Sequence, residues 1–391
     1  MVVNTADYEL TRETLARLIG FDTTSRHSNL ALINWAEGCL RDVGAECRRI
    51  PDETGEKANL WARIGPDVPG GIVLSGHTDV VPVDGQAWET DPFELTERDG
   101  RLFGRGTCDM KAFLALGLAF APRFAAANLA RPIHFALSYD EEVGCLGAPS
   151  MIHDIMASGA APAGVWVGEP SNWQVISQHK GIADYQVVVT GREAHSSLPD
   201  AGISAVHEAV PLMQALLELA KDAKEVDAHV FPAEPSRTTI TIGQLEGGTA
   251  VNILARECRF VFDIRCVPGV LPETVLEPFF RLIDQRRADL KARAPEADIT
   301  VSELCNAPPL EAMTDNPIER LARAITGDNA DRAVAYATEA GQFHAADCPA
   351  VICGPGSIEQ AHQPNEYLEV SQLKQGLDVF NRLLEHAKAW R

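Results

Sequence analysis

Apolar positions along the chain follow two rhythms. Over residues 6–19 and 29–43 they recur at intervals of three and four, which predicts two amphipathic helices. Four short apolar runs stand apart from these: GIVLS (71–75), PIHFALS (132–138), GVWV (164–167) and AVIC (350–353). Runs of four to seven residues separated by helical stretches predict buried strands of a mostly parallel sheet. Residues 110–120 are apolar almost all round, so that helix is expected to be buried.

From about 182 to 305 the rhythm changes. Strands are predicted at 184–190, 238–244, 254–266 and 298–304, with long amphipathic helices at 204–224 and 272–292. The order β-α-β-β-α-β is the split βαβ of ferredoxin-like units, which close on themselves. The expected fold is therefore α/β. A discontinuous domain of residues 1–181 and 306–391, with a mostly parallel mixed sheet flanked by helices, carries an inserted ferredoxin-like α+β domain at 182–305.

Composition narrows the class. Hydrophobic residues make up 46% of the 391 and charged residues 23%, which excludes a disordered or collagenous chain. No apolar run approaches the ~20 residues of a membrane helix. MVVNTADYELTRETL lacks a basic stretch followed by an apolar core, so no leader segment is expected. A net charge of −21 without any Lys/Arg cluster argues against nucleic-acid binding. Nine cysteines without a CxxC fit free thiols in a reducing cytoplasm better than a disulfide framework or a thiolate metal site.

The polar residues that follow the apolar runs carry the chemistry. His77 and Asp79 follow the first, Glu141 and Glu142 the second, Glu169 the third, and the GPGS turn and His362 the fourth. Asp109 precedes the buried helix. In parallel sheets the carboxyl ends of the strands form the ligand site. Alone, each residue has a duller explanation: loop histidines, a solvated Glu pair, a turn glutamate, a helix-capping aspartate. Together they converge on one edge, and the set of two imidazoles with several carboxylates suits zinc, cobalt or manganese over magnesium or calcium. There are more candidates than one tetrahedral ion uses, so a pair of ions is expected.

Six segments, GHTDVVP (76–82), GRGTCDMKA (104–112), DEEVGCLGA (140–148), GEPS (168–171), GREAHSSLP (191–199) and AHQPNEYLE (361–369), resemble in order the motifs of the co-catalytic zinc aminoacylase, desuccinylase and carboxypeptidase family. The resemblance implies two Zn²⁺ per subunit, with Co²⁺ or Mn²⁺ as substitutes. Asp109 would bridge them, His77 and Glu169 would complete one site, and Glu142 and His362 the other. Glu141 would be the general base and Asp79 would orient His77. It further implies a homodimer in which His195 of the inserted domain reaches the partner's site and stabilises the oxyanion; the alternative for His195 is a loop histidine beside a helix start.

Arg265 and Asn252 match positions that grip the substrate carboxylate, although Arg265 also reads as a surface or strand-edge arginine. TEAGQF (338–343) and GPGSIEQAHQPNEY (354–367) most resemble the subgroup that deacetylates N2-acetyl-L-ornithine in arginine biosynthesis. Glu339 is the candidate contact for that cationic side chain, or else a solvated loop carboxylate. The turn at Gly356 is a candidate donor of N–H groups to the substrate, or simply a chain reversal. The rival functions are another amidohydrolase of the family, acting as a succinyl-diaminopimelate desuccinylase, an aminoacylase or a carboxypeptidase, and a non-catalytic metal-dependent binding protein.

Overall fold

The computed structural model describes residues 5–389; the first four residues of the stretch on which the leader expectation rests lie outside them. The chain divides into two compact units. The first comprises the residues up to Gln178 with 310–333 and the segment from Thr338 onward; the second is His179–Pro309 with Val334–Ala337. The short 334–337 piece is absent from the pattern-based division, which leaves it in the first domain.

The first unit holds a six-stranded sheet in the spatial order Glu46–Pro51, Ala58–Ile64, Ile133–Ser138, Ile72–His77, Gly164–Val167, Ala350–Ile352. The last four strands are the predicted apolar runs, and they pair in parallel. Every residue of 133–138, 72–77 and 164–167 is buried, as expected of strands covered on both faces. An antiparallel pair, 46–51 with 58–64, extends one side and makes the sheet mixed.

The buried helix runs further than its apolar pattern, from Lys111 to Ala126. Its Phe113 and Phe120 rings meet Phe380 at 5.6 and 5.4 Å, and Phe124 meets Phe135 of the sheet at 6.5 Å. Such pairs add ~0.5–1.5 kcal/mol each beyond area burial. The helix lies so close to the 164–167 strand that a Cβ on Gly168 would fall 1.9 Å from the Phe113 ring. Glycine is therefore required immediately before Glu169.

The second unit is a four-stranded antiparallel sheet in the order Thr239–Gly247, Glu257–Cys266, Gly181–Thr190, Asp298–Ala307. Helices Ala205–Asp222 and Pro272–Arg293 pack on it. Strict alternation along 181–190 turns Val187 and Val189 inward, where they join Phe260, Phe262, Leu212, Leu216 and Phe279. Ser204 caps the first helix by accepting the His207 amide.

The two ends of this sheet are well separated. Arg265 pairs opposite Ile182, near the points where the chain enters and leaves the unit, whereas Glu257 pairs opposite Thr190. At ~3.4 Å per residue the two ends stand roughly 27 Å apart.

Candidate metal centre

Strand register assembles the site. In the parallel sheet His77 pairs beside Ser138 and Ser75 beside Val167. The segments that follow, 139–142 and 168–169, therefore emerge on one edge together with His77 itself. Asp109 arrives from the turn before the buried helix, and its peptide bond to Met110 is cis. His362 comes from the loop beyond the 350–352 strand, with a left-handed φ of 63°.

The two carboxylate oxygens of Asp109 face different imidazoles. Oδ1 lies 3.0 Å from His77 Nε2, and Oδ2 lies 3.4 Å from His362 Nε2. Glu169 Oε1 is 3.7 Å from His77 Nε2, and Glu142 Oε2 is 3.0 Å from His362 Nε2. Two groups have ligand atoms within 4.8 Å of one another: His77 with Glu141 and Glu169, and His77 with Asp109 and Glu142. His77, Asp109 and Glu169 are buried, while the His362 side chain is 52% exposed. The cluster is thus closed beneath and open at His362.

Asp79 serves two partners. Its main-chain oxygen lies 2.9 Å from His77 Nδ1, nearer than its carboxylate at 3.7 Å. The carboxylate instead accepts the amides of Glu141 and Glu142 at 3.1 and 3.3 Å and the Ser25 hydroxyl at 2.7 Å. One residue therefore orients the histidine through its carbonyl and the glutamate loop through its side chain. Cys145 Sγ donates to Glu141 Oε1 at 3.3 Å, and Gln342 Nε2 donates to the Cys145 carbonyl at 2.8 Å.

Electrostatics in this pocket are dominated by crowded anions. Burial pushes the Glu141 and Glu169 carboxyls well above the usual range, and neighbouring carboxylates add to the push. Glu142 rises to about 7 for the same reasons, burial first and then the Asp109 charge. Burial works against the charged form of Asp109 too, but hydrogen bonds from His362 and His77 outweigh it and hold the group below its ordinary value. His362 is raised to about 10 by Asp109 and Glu142. His77 is also raised, because Asp109, Glu169 and Glu141 overcome its burial. Four carboxyls and two imidazoles at these distances form a donor set that is stabilised by positive charge. Mixed N/O donors of this kind fit a zinc-class divalent cation.

The remaining candidates sit elsewhere or otherwise than expected. Glu339 is not a solvated loop residue: it is 1% exposed. Ser75 Oγ donates to its Oε2 at 3.4 Å, its Oε1 has no partner among the described residues, and burial lifts its carboxyl to about 7. Gly356 is buried at φ 83° and its amide is directed to Gln372 Oε1 at 3.4 Å. The amides of Gly354 and Ser357 face Ser171 Oγ and Gln360 Oε1. The donors expected to meet a substrate carboxylate at this turn are thus engaged within the turn's own surroundings.

His195, Asn252 and Arg265 all belong to the second unit. His195 and Asn252 are neighbours: Ser196 N donates to the Asn252 carbonyl at 2.9 Å, and His195 bridges Ile253. Both are exposed. Arg265 and Asn252, both expected to grip the substrate carboxylate, lie at opposite ends of the sheet within one chain, because the 248–256 loop joins the strands at the Thr190 end. Arg265 is paired with Asp263 at 2.9 Å.

Pattern reading passes over three residues that brace the centre, namely Arg105, Glu366 and Gln86. Arg105 and Glu366 lie inside the quoted motifs GRGTCDMKA and AHQPNEYLE, so a signal was present in the strings. Nothing in the residue types alone distinguishes them from surface charges.

Residues 73–386 match the family model described as peptidase family M20/M25/M40. A protein of Myxococcus xanthus named acetylornithine deacetylase is 36% identical over 380 residues, covering 96% of this chain and 97% of that one. One of the same name from Klebsiella pneumoniae strain 342 is 35% identical, covering 92% and 91%. Among solved structures, an M20 family metallo-carboxypeptidase from Sulfolobus solfataricus superposes with a TM-score of 0.78 at 16% identity, covering 97% of this chain and 99% of that one. Human carnosine dipeptidase 1 gives 0.73 at 17% identity, covering 98% of each chain. At these identities the structural likeness concerns the fold.

Proposed function

This chain belongs to peptidase family M20/M25/M40, and from that premise we propose that it is a metal-dependent amidohydrolase converting N2-acetyl-L-ornithine and water to L-ornithine and acetate, in arginine biosynthesis. The observation that carries the hydrolytic reading is the Asp109 carboxylate, whose two oxygens face His77 and His362 on separate loops. The substrate follows from relatives named acetylornithine deacetylase that align along nearly the whole chain.

The residues suit two Zn²⁺ ions, with Co²⁺ or Mn²⁺ able to replace them. His77 and Glu169 would hold one, Glu142 and His362 the other, and Asp109 both. Ions so held would lower the pKa of a bound water toward ~7 and polarise a carbonyl. Glu141 takes the proton from the water whose oxygen attacks the acetyl carbon. It then delivers that proton to the amine nitrogen as the C–N bond breaks. Asp79 fixes the Glu141 and Glu142 amides, and the Cys145 thiol steadies the Glu141 carboxylate.

His195 donates to the developing oxyanion from a second protomer of a homodimer, and Asn252 beside it contributes to the grip on the substrate carboxylate. The roughly 27 Å between the His195 end and the Arg265 end of one sheet supports assigning them to different protomers. Arg265 grips the substrate carboxylate through its guanidinium fork. Glu339, buried in the first unit beside Ser75, adds negative charge that favours a cationic side chain. No helix among the described residues is long and apolar enough to cross a membrane; the nine unpaired cysteines support a cytoplasmic setting.

The test is amine release by the purified protein from N-acetyl-L-ornithine, N-acetyl-L-methionine and N-succinyl-diaminopimelate. Each is run with and without chelator and with Zn²⁺ or Co²⁺ added back. Chelator-sensitive turnover fastest on acetylornithine is the expected result. Preference for another amide keeps the chemistry and replaces the substrate, and turnover indifferent to chelator removes the metal reading.

A further inference from the structure

Glu366 lies four residues beyond His362 and is 1% exposed. Its carboxylate accepts four donors from one turn. Oε2 takes Arg105 Nη1 at 2.7 Å and the Gly106 amide at 3.1 Å, while Oε1 takes the amides of Cys108 at 2.8 Å and Asp109 at 3.1 Å. Gly106 can present its amide this way because it sits at φ 84°, and a Cβ there would come within 2.8 Å of Val80. The Gly104 amide also donates to the Glu366 carbonyl at 3.0 Å.

The other side of the Arg105 guanidinium continues the chain of contacts. Nη2 donates to Gln86 Oε1 at 2.7 Å, and Gln86 Nε2 donates to the main-chain oxygen of His362 at 3.0 Å. Trp88 donates to the same Gln86 oxygen at 3.0 Å, and its ring lies 5.2 Å from the Arg105 guanidinium carbon. A continuous path thus runs from the Asp109 amide through Glu366, Arg105 and Gln86 to the His362 carbonyl. It joins two segments whose Asp109–Glu366 contact spans 257 residues of sequence.

A buried ion pair is a poor device for stability alone, since desolvation of both charges offsets their attraction. Here the pair places its remaining donors and acceptors on the two segments that bring Asp109 and His362 together. We propose that Glu366, Arg105 and Gln86 are positioning residues that set the spacing of Asp109 and His362, and thereby the affinity of the cation held by Asp109, Glu142 and His362. The inference rests on the metal reading of the preceding subsection.

The test is equilibrium competition for Zn²⁺ between a chromophoric chelator and the full-length protein, as wild type, Glu366→Gln and Gln86→Ala. The visible spectrum of each Co²⁺-loaded protein is recorded, and circular dichroism checks the fold. Wild type should bind two ions. Glu366→Gln should weaken one of them by about 10–100-fold, the usual scale for residues that orient metal ligands. Gln86→Ala should weaken the same ion by about tenfold, and both variants should shift the Co²⁺ bands.

Wild-type affinity and spectrum in both variants, with only a lowered Tm, would make the path structural and overturn the proposal. If Glu366→Gln does not fold, Gln86→Ala, on a half-exposed loop, decides alone. Zinc that fails to bind wild type at all removes the metal reading and this inference with it. Normal wild-type binding with unchanged variants removes the inference only.

Discussion

In the first unit His77, Asp109 and Glu169 are nearly sealed from solvent; Asp79 and Ser25 tie the His77 segment to the 141–142 loop, and Glu366 holds the Asp109 turn, through hydrogen bonds between residues distant in sequence. In the second unit His195 and Asn252 stand exposed on adjoining loops; the His195 ring is held locally, with Nδ1 2.8 Å from Ser197 Oγ. The difference follows from what each set must do. A cluster of carboxylates is self-repelling, so it exists only where backbone register and buried donors compel it. A lone imidazole on a loop faces no such crowding and can sit on a surface.

The comparison breaks most severely if Glu141 proves dispensable. Glu141→Gln should lower kcat by about 10²–10⁴-fold, the range for a positioned acid–base group, with zinc content unchanged by elemental analysis. Next in size, His195→Ala should lower kcat by about 10²–10³-fold, as for loss of one oxyanion donor. Zinc affinity, Co²⁺ spectrum and thermal stability should stay at wild-type values, because His195 is exposed on the second unit and is not among the proposed ligands. A loss of metal in His195→Ala would erase the distinction between the two regions.

The smallest effect concerns pH. His134 is wholly buried in the first unit's sheet, where burial and then the Arg63 charge lower its pKa to about 4. Its Nδ1 accepts the Trp61 indole N–H at 3.1 Å. The unfolded chain takes up this proton near 6.5 and the folded unit near 4, so stability is full above 6.5 and falls as pH drops toward 4. The loss should reach about 3 kcal/mol. His134→Gln should flatten that slope in urea melts followed by tryptophan fluorescence. All six tryptophans lie outside 179–309, so the signal reports on the first unit.

Legibility of these features in the sequence tracked how local their causes are. The four parallel strands are visible because burial on both faces leaves uninterrupted apolar runs, and the inserted unit because its strands alternate. ECRRIP at 46–51 is invisible as a strand: it is an edge with mostly exposed side chains, and only its pairing with 58–64 reveals it as one. The second strand, ANLWARI, is mostly buried, yet Asn59 and Arg63 interrupt its apolar pattern. At the centre, the residues whose type is itself a signal, imidazoles and paired carboxylates at strand ends, are legible. The aim of the Asp79 carboxylate, the burial of Glu339, the engaged amides around Gly356 and the Arg105–Glu366–Gln86 path are not, because each depends on partners remote in sequence. Arg265 and Asn252 were separated by the same cause, since only strand register reveals which end of a sheet a residue occupies.

The interruption of the first unit by the second also sets a timetable. At ~5–20 residues per second, His362 leaves the ribosome roughly ten to forty seconds after Glu169. Throughout that interval the nascent chain carries His77, Asp109, Glu141, Glu142 and Glu169 on a sheet that lacks its 350–352 strand, and the Asp109 turn lacks Glu366. The open side of the centre is therefore the last part of the centre to be made, with the 370–389 helix still to follow it. A ribosome that stalls within the insertion leaves a polypeptide holding every acidic candidate of the centre together with His77, and lacking His362 and Glu366.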